Sequence, residues 1–212
     1  MSKTAIAVIG AGNVGGTLGR RWARAGHIVR FGVRDPGRTD LRHLLVQAGN
    51  GASAHPPAEA VTGADIVVLT TPWNAVASLL ESLPPLDGTI VVDCTNPIGP
   101  GFRLAHGTTT SGAEQIAAQA PGARIVKAFN TTGFETMADP AYPGGPLSMI
   151  LCGDDRAACA TVAALAADLG FDPVVSGPLH HARYLEPLAM LWIEMAIREG
   201  KGRDFGFRLI TR

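Results

Sequence analysis

Apolar positions fall into short continuous runs, separated by longer segments in which they recur every three or four residues. The runs are Ala5–Ile9, Ile28–Phe31, Ile66–Leu69, Thr89–Asp93, Arg124–Phe129, Ser148–Leu151 and Pro173–Val175. Most are rich in Ile and Val, and they lack the strict polar alternation of a strand with one wet face. Helical spacing fills the intervals at Leu18–Ala25, Leu41–Ala48, Asn74–Leu83, Gly112–Ala120, Asp155–Leu169 and from about His180 to Gly200. Strand and helix in alternation predict an α/β fold with a doubly wound, mostly parallel sheet covered on both faces. Pro84-Pro85, Asn96-Pro97 and Pro143-Gly144-Gly145 mark connections.

The last helical segment can gather Leu185, Leu188, Leu191, Trp192 and Met195 on one face, with Arg183, Glu186 and Glu194 away from its centre. That face is either core or a homodimer surface. Pro187 is expected to start or bend the helix.

Between the first two runs stands Gly10-Ala11-Gly12-Asn13-Val14-Gly15. Strand, glycine turn, helix and second strand within about 30 residues form the βαβ unit that binds dinucleotides, the Rossmann NAD(P)-binding fold. Gly10 permits the turn, Gly12 admits a pyrophosphate without a Cβ in the way, and Gly15 lets helix and strands pack closely. Asn13 and Val14 lie within the same glycine motif, and the N-terminus of the helix that follows offers unpaired N–H groups to the anion. After the second strand, Asp35 has the spacing of a ribose ligand, yet Asp35-Pro36-Gly37 reads as a turn. Arg34 and Arg38 flank it, and a guanidinium suits a 2′-phosphate, so the cofactor reading is NADP(H). Residues 1–140 form the cofactor-binding domain. Residues 141–212 are a small C-terminal extension on the substrate side, within one compact unit.

Lys and Arg balance Asp and Glu at 18 each, with no basic stripe, so nucleic acid is not an expected partner. Cys94, Cys152 and Cys159 are an odd number without ligand-type spacing, and read as buried thiols of a reducing compartment. No signal peptide or membrane span is visible, so a soluble cytoplasmic protein is expected.

Ligands of a doubly wound sheet lie at the carboxyl ends of its strands. Those ends carry Thr70-Thr71-Pro72-Trp73, Cys94-Thr95-Asn96-Pro97 and Asn130-Thr131-Thr132-Gly133. Small hydroxyl and amide side chains can bond a ribose or carboxamide without bringing charge. Pro72 and Trp73 can pack against one half of the cofactor. Neither a metal-ligand cluster nor a nucleophile motif accompanies them, and no catalytic acid or base is assigned. Hydride transfer between two positioned rings needs none.

These pieces resemble the NADPH-dependent reductases of the deazaflavin coenzyme F420 over nearly the whole chain. The likeness rests on Gly10 to Gly15, Gly26-His27, Gly32-Val33-Arg34, Leu69 to Trp73, Ser111 to Glu114, Cys152 to Asp155, Gly177-Pro178-Leu179 and Phe205 to Leu209. It implies Arg34 and Arg38 at the 2′-phosphate, and Thr70, Thr71, Pro72 and Trp73 along the cofactor with Asn96 nearby. It also implies Asn130 and Thr131 facing a small-molecule acceptor near Gly177 and Pro178. Two positions differ from that family's pattern: Val33 stands where it has serine, and Asn130 where it has histidine. Lys127-Ala128-Phe129-Asn130-Thr131 is instead similar to the cytosolic domain of the membrane metalloreductases, so F420, FMN and FAD are all expected acceptors. The alternatives are an NADPH-dependent carbonyl or imine reductase, with His181 or Tyr184 as proton donor, and a non-catalytic NADP(H)-sensing module.

Overall fold

The Val- and Ile-rich runs become strands because each face of the sheet finds helices to bury its side chains. The computed structural model describes residues 3–212. Apart from a short antiparallel pair at Ile98–Gly99 and Arg103–Leu104, its strands are β1 (Ala5–Ile9), β2 (Ile28–Gly32), β3 (Ser53–His55), β4 (Ile66–Leu69), β5 (Ile90–Asp93), β6 (Arg124–Lys127), β7 (Ser148–Gly153) and β8 (Asp172–Gly177). They form one sheet in the order β8-β7-β6-β5-β4-β1-β2-β3. Strands β1 to β6 are mutually parallel. β7 runs antiparallel to β6, and β8 is parallel to β7. The winding reverses between β1 and β4, and the crevice outside that point is where such sheets take ligands.

The register brings four strand ends to one edge: Ile9 beside Leu69, Leu69 beside Asp93, and Asp93 beside Lys127. β7 pairs with β6 only through Cys152 and Gly153. Its earlier residues stand past the edge, where Met149 Sδ accepts from the Phe129 N–H at 3.2 Å.

The helices are α1 (Asn13–Arg24), α2 (Thr39–Ala48), α3 (Pro57–Val61), α4 (Val76–Ser82), α5 (Gly112–Gln119), α6 (Phe134–Ala138), α7 (Arg156–Asp168) and α8 (Ala182–Ile193). Alternate residues of the strands feed two cores. Ile6, Val8, Val68 and Val92 pack with Leu18 and Trp22 of α1 and Val162 of α7. Ala7, Ile9, Val67, Leu69 and Val91 pack with Ile116 of α5 and Leu185 of α8. No helix among the described residues is long and apolar enough to cross a membrane.

Several elements differ from the expectation. α1 begins at Asn13 rather than Leu18, because Gly15 and Gly16 are buried helical residues rather than part of a turn. β3, α3 and α6 are additional; β3 is a three-residue edge strand without an apolar run, and the two helices are five residues each, too short to show a period. β6 stops at Lys127 because Phe129 adopts φ +61°, which ends pairing. The last segment starts α8 at Ala182 after a 3-10 turn over Leu179–His181. It runs through Pro187 unbroken and ends in a π turn over Glu194–Arg198. Its buried stripe is Ala182, Leu185, Glu186, Ala189 and Trp192, while Leu191 is 52% exposed. Glu186 therefore sits in the centre of the buried face, not away from it; its partner is a lysine in β6, which helical periodicity cannot show.

Candidate active site

The glycine turn is shaped by what surrounds it. Gly10 has φ +106°, a conformation that favours glycine. A Cβ on Gly15 would lie 2.1 Å from the Gly10 carbonyl oxygen and 2.4 Å from Thr70 Oγ1, so only glycine lets α1 start this close to β1 and β4. Gly12 differs: a Cβ there would meet nothing within 4 Å. The fold does not need glycine at that position, but a ligand approaching the backbone would. α1 has no acidic residue in its first turn and no side-chain cap, so its first N–H groups and positive dipole end stay free for an anion. This arrangement fits a dinucleotide pyrophosphate.

Beyond β2, the Asp35 carboxylate accepts from the Gly37 N–H at 2.9 Å and is occupied as a turn residue. Arg34 is exposed and has no ion pair or hydrogen bond among the described residues. Arg38 pairs with Asp40 at 3.1 Å, both well exposed. Arg34 is thus the uncommitted cation at the end of β2.

On the other side of the switch point, the Thr70 hydroxyl lies 3.0 Å from both the Ile9 and the Gly10 carbonyl oxygens, tying β4 to the glycine turn from beneath. Thr71 Oγ1 is buried without a partner. Pro72 is exposed, and Trp73 packs edge-on against His106 with ring centroids 5.5 Å apart. After β5 and β6, Asn96 and Asn130 form a reciprocal pair. Asn130 Nδ2 donates to Asn96 Oδ1, and Asn96 Nδ2 donates to the Asn130 carbonyl, each at 3.1 Å. Thr131 is buried beside them.

Directly below this pair lies a charged set that reading the sequence missed. Lys127 is fully buried, and its Nζ donates to Asp93 Oδ2 at 2.8 Å, Glu186 Oε1 at 2.9 Å and the Thr95 carbonyl at 2.6 Å. All three ammonium protons are used. Asp93 Oδ1 accepts from the Thr95 N–H and hydroxyl at 2.8 and 2.7 Å. Glu186 accepts from the Gly112 and Ala113 N–H groups at the start of α5, at 2.9 and 3.2 Å. Burial alone would lower the Lys127 pKa, but Asp93 and Glu186 outweigh it and hold the ammonium above its ordinary range. Lys127 is consequently a fixed charge rather than a proton carrier. The signal for it was available: a lysine and an aspartate end strands whose interiors are apolar. Burial pushes the neighbouring Cys94 thiol well up, which keeps it protonated and unreactive.

Not every expected residue joins this group. Gly177 has φ +138°, and a Cβ there would come within 2.7 Å of the His181 ring, so its glycine serves local packing. No hydrogen bond among the described residues connects Gly177, Pro178, His181 or Tyr184 with Asn96, Asn130 or Thr131; Tyr184 is 62% exposed. Arg183 on the same helix instead clamps Glu114 of α5 at 2.6 and 2.9 Å, holding that carboxyl below its ordinary range.

Comparison with known proteins places this geometry in context. The family described as NADP oxidoreductase, coenzyme F420-dependent, matches residues 5–97. A provisionally assigned F420-dependent NADP reductase from Arthrobacter sp. FB24 is 32% identical, with a TM-score of 0.89 over 98% of this chain and 100% of that one. The hypothetical protein SMa0349 from Sinorhizobium meliloti is 31% identical, with a TM-score of 0.73 over 83% of this chain and 86% of that one. Metalloreductase STEAP3 from Rattus norvegicus is 31% identical over 194 residues; these are 88% of this chain, which spans only 37% of that protein's length.

Proposed function

This chain belongs to the coenzyme F420-dependent NADP oxidoreductase family, and we propose that it passes a hydride between NADPH and a flat-ring acceptor of the deazaflavin or flavin class. The observation that carries the reading is the division of labour across the switch point. One side offers the open backbone at Gly12, a free helix N-terminus and the uncommitted Arg34. The other offers the neutral groups of Thr71, Asn96 and Asn130 above a charge network that is internally satisfied. The first set suits a pyrophosphate and a 2′-phosphate, and the second suits uncharged rings.

When bound, NADPH supplies the hydride; the residues of this chain bind, orient and exclude water. Arg34 grips the 2′-phosphate, and Gly12, Asn13 and Val14 present backbone N–H groups to the pyrophosphate. Thr70 holds the glycine turn in place. The Asn96–Asn130 pair borders the ring end, and Lys127, Asp93 and Glu186 fix the strand ends on which that pair stands. None of these groups has to carry a proton, which suits direct transfer between stacked rings. The segment Lys127 to Thr131 is the feature that admits flavin beside F420 as acceptor.

The test is NADPH oxidation by the purified protein with F420, FMN, FAD and riboflavin in parallel. Turnover with at least one of them is expected. Tight NADPH binding without turnover on any, or turnover only on a carbonyl or imine and lost in His181→Ala, would replace this reading with one of its alternatives.

A further inference from the structure

We infer that the cleft at the C-terminal end of α1 is a second ligand site, separate from the cofactor site, and that it binds the phosphate group of a small hydroxyl-bearing phosphate ester. The cleft holds about 540 Å³, a volume in the range of small-molecule sites, and its lining includes Arg20, Arg21, Arg24, Asp139 and Asp168. α1 has 12 residues and is about 18 Å long, so the cleft stands at the opposite end of the helix from the glycine turn.

Three of the 18 basic residues fall within positions 20 to 24, although the chain as a whole carries no net charge. Arg20 and Arg24 stand one turn apart on the same face of α1, with Arg21 beside them. Each is anchored by a neutral oxygen. Arg20 donates to Gln47 Oε1 at 3.1 Å, Arg24 Nε to the Gln47 carbonyl at 2.9 Å, and Arg21 to the Ala138 carbonyl. A guanidinium has five N–H donors, so most remain available. None of the three pairs with a carboxylate among the described residues. Their charges are held in place without being neutralised.

The two acids of the cleft are engaged elsewhere. Asp168 Oδ2 lies 3.0 Å from His27 Nε2, and Asp139 Oδ1 accepts from the Ala141 N–H at 3.1 Å. The second oxygen of each has no hydrogen bond among the described residues. Helix dipoles account for part of the arrangement, because Arg21 and Arg24 stand in the last turn of α1 and their anchoring carbonyls belong to the ends of α2 and α6. Those contacts take one donor from each side chain. They do not require three unpaired guanidiniums to line a single cleft.

Three cations on one cleft call for an anion, and their number selects phosphate. A carboxylate is planar and matches one guanidinium fork, whereas a phosphate offers three oxygens in different directions to three side chains. One phosphate fills only a small part of the cleft and leaves room for an organic body. The free oxygens of Asp139 and Asp168 accept hydrogen bonds and disfavour a second anionic group, so the body that suits them carries hydroxyls.

The experiment is calorimetric titration with inorganic phosphate, glucose 6-phosphate and glucose, at constant ionic strength and in excess NADP⁺, which fills the cofactor site. The wild type is expected to bind one equivalent of phosphate with half-saturation at about 1 mM or below, to bind glucose 6-phosphate more tightly, and not to bind glucose. Arg20→Gln and Arg24→Gln are each expected to weaken both anions about tenfold, the size of one lost charge-assisted hydrogen bond, while keeping a cooperative thermal transition. A wild type that binds neither anion in excess NADP⁺ overturns the inference without any variant. So does anion binding that both variants leave unchanged, which would place the anion elsewhere. Glucose 6-phosphate that binds no more tightly than inorganic phosphate would overturn the role given to the two aspartates.

Discussion

Replacing Lys127 by Met removes the one positive charge between Asp93 and Glu186 while keeping the length of the side chain. The ammonium makes three contacts of 2.6 to 2.9 Å with groups that have almost no access to water. The variant leaves two acidic side chains facing each other across an apolar gap, and the Thr95 carbonyl without its donor. Breaking a buried ion pair by removing one partner typically destabilises by about 3–5 kcal/mol. The cost falls toward the lower end here, because Asp93 keeps two hydrogen bonds from Thr95 and Glu186 keeps two from α5. For a chain of this size, about 3–5 kcal/mol lowers Tm by roughly 6–20 °C. The comparator is Arg198→Ala, which breaks an exposed pair with Glu194 at 3.2 Å and a stack on Phe102; its expected cost is under about 1 kcal/mol. Urea denaturation of the three proteins at one pH gives both numbers. A Lys127→Met loss within about 1 kcal/mol of the Arg198→Ala loss would refute the claim that a dry, fully paired network supports the strand ends.

Gly12→Ala is expected to leave the denaturation midpoint almost unchanged and to weaken NADP⁺ binding. Gly15→Ala is expected to cost more than about 3 kcal/mol, because its Cβ would collide with backbone at 2.1 Å; equal stability of the two variants would contradict the packing. Stability should hold through the ordinary range and fall at both extremes. The raised Lys127 pKa gives a contribution complete below the unfolded value near 10.5 and lost as pH rises through the still higher folded value. The lowered Glu114 pKa gives one present above the unfolded value near 4.5 and lost as pH falls through the folded one. A midpoint declining steadily between pH 7 and about 8.5 would argue against the first; above about 9 the buried thiols, whose pKa values burial raises, lose their own contribution as well. All three thiols are buried, Cys94 well above its ordinary pKa and Cys152 pushed up to about 12 by burial, so the native protein should resist a thiol reagent that reacts fully after denaturation. Rapid labelling of the folded protein would contradict that burial.

The parts of this account legible in the sequence are those encoded locally. Ala5 to Gly32 shows strand, glycine turn, helix and strand in consecutive residues, and the structure repeats them in that order. The turn role of Asp35 follows from its immediate neighbours, and its hydrogen bond to Gly37 agrees. Cys152 to Asp155 likewise leads from β7 into α7, whose first turn Asp155 caps through the Ala158 N–H. What was hidden depends on residues distant in the chain. Asp93, Lys127 and Glu186 are 34 and 59 residues apart; taken alone, the first two look like polar strand ends and the third like a helical residue off the apolar face. Periodicity gathers Leu185, Leu188, Leu191, Trp192 and Met195 on one face, which leaves Glu186 away from its centre. The actual stripe includes alanines 182 and 189 and has Glu186 within it, facing the lysine. The Asn96–Asn130 pair is invisible for a related reason: it follows from which partners the amide protons find, not from the residue type.

The central claim is that the end of β2 is built for the 2′-phosphate. It is tested most directly by titrating wild type and Arg34→Ala with NADPH and NADH. The account predicts that the wild type prefers NADPH and that the variant loses about 1–3 kcal/mol, roughly 5- to 150-fold, for NADPH alone. Equal losses for both cofactors, or a wild type that prefers NADH, would contradict it.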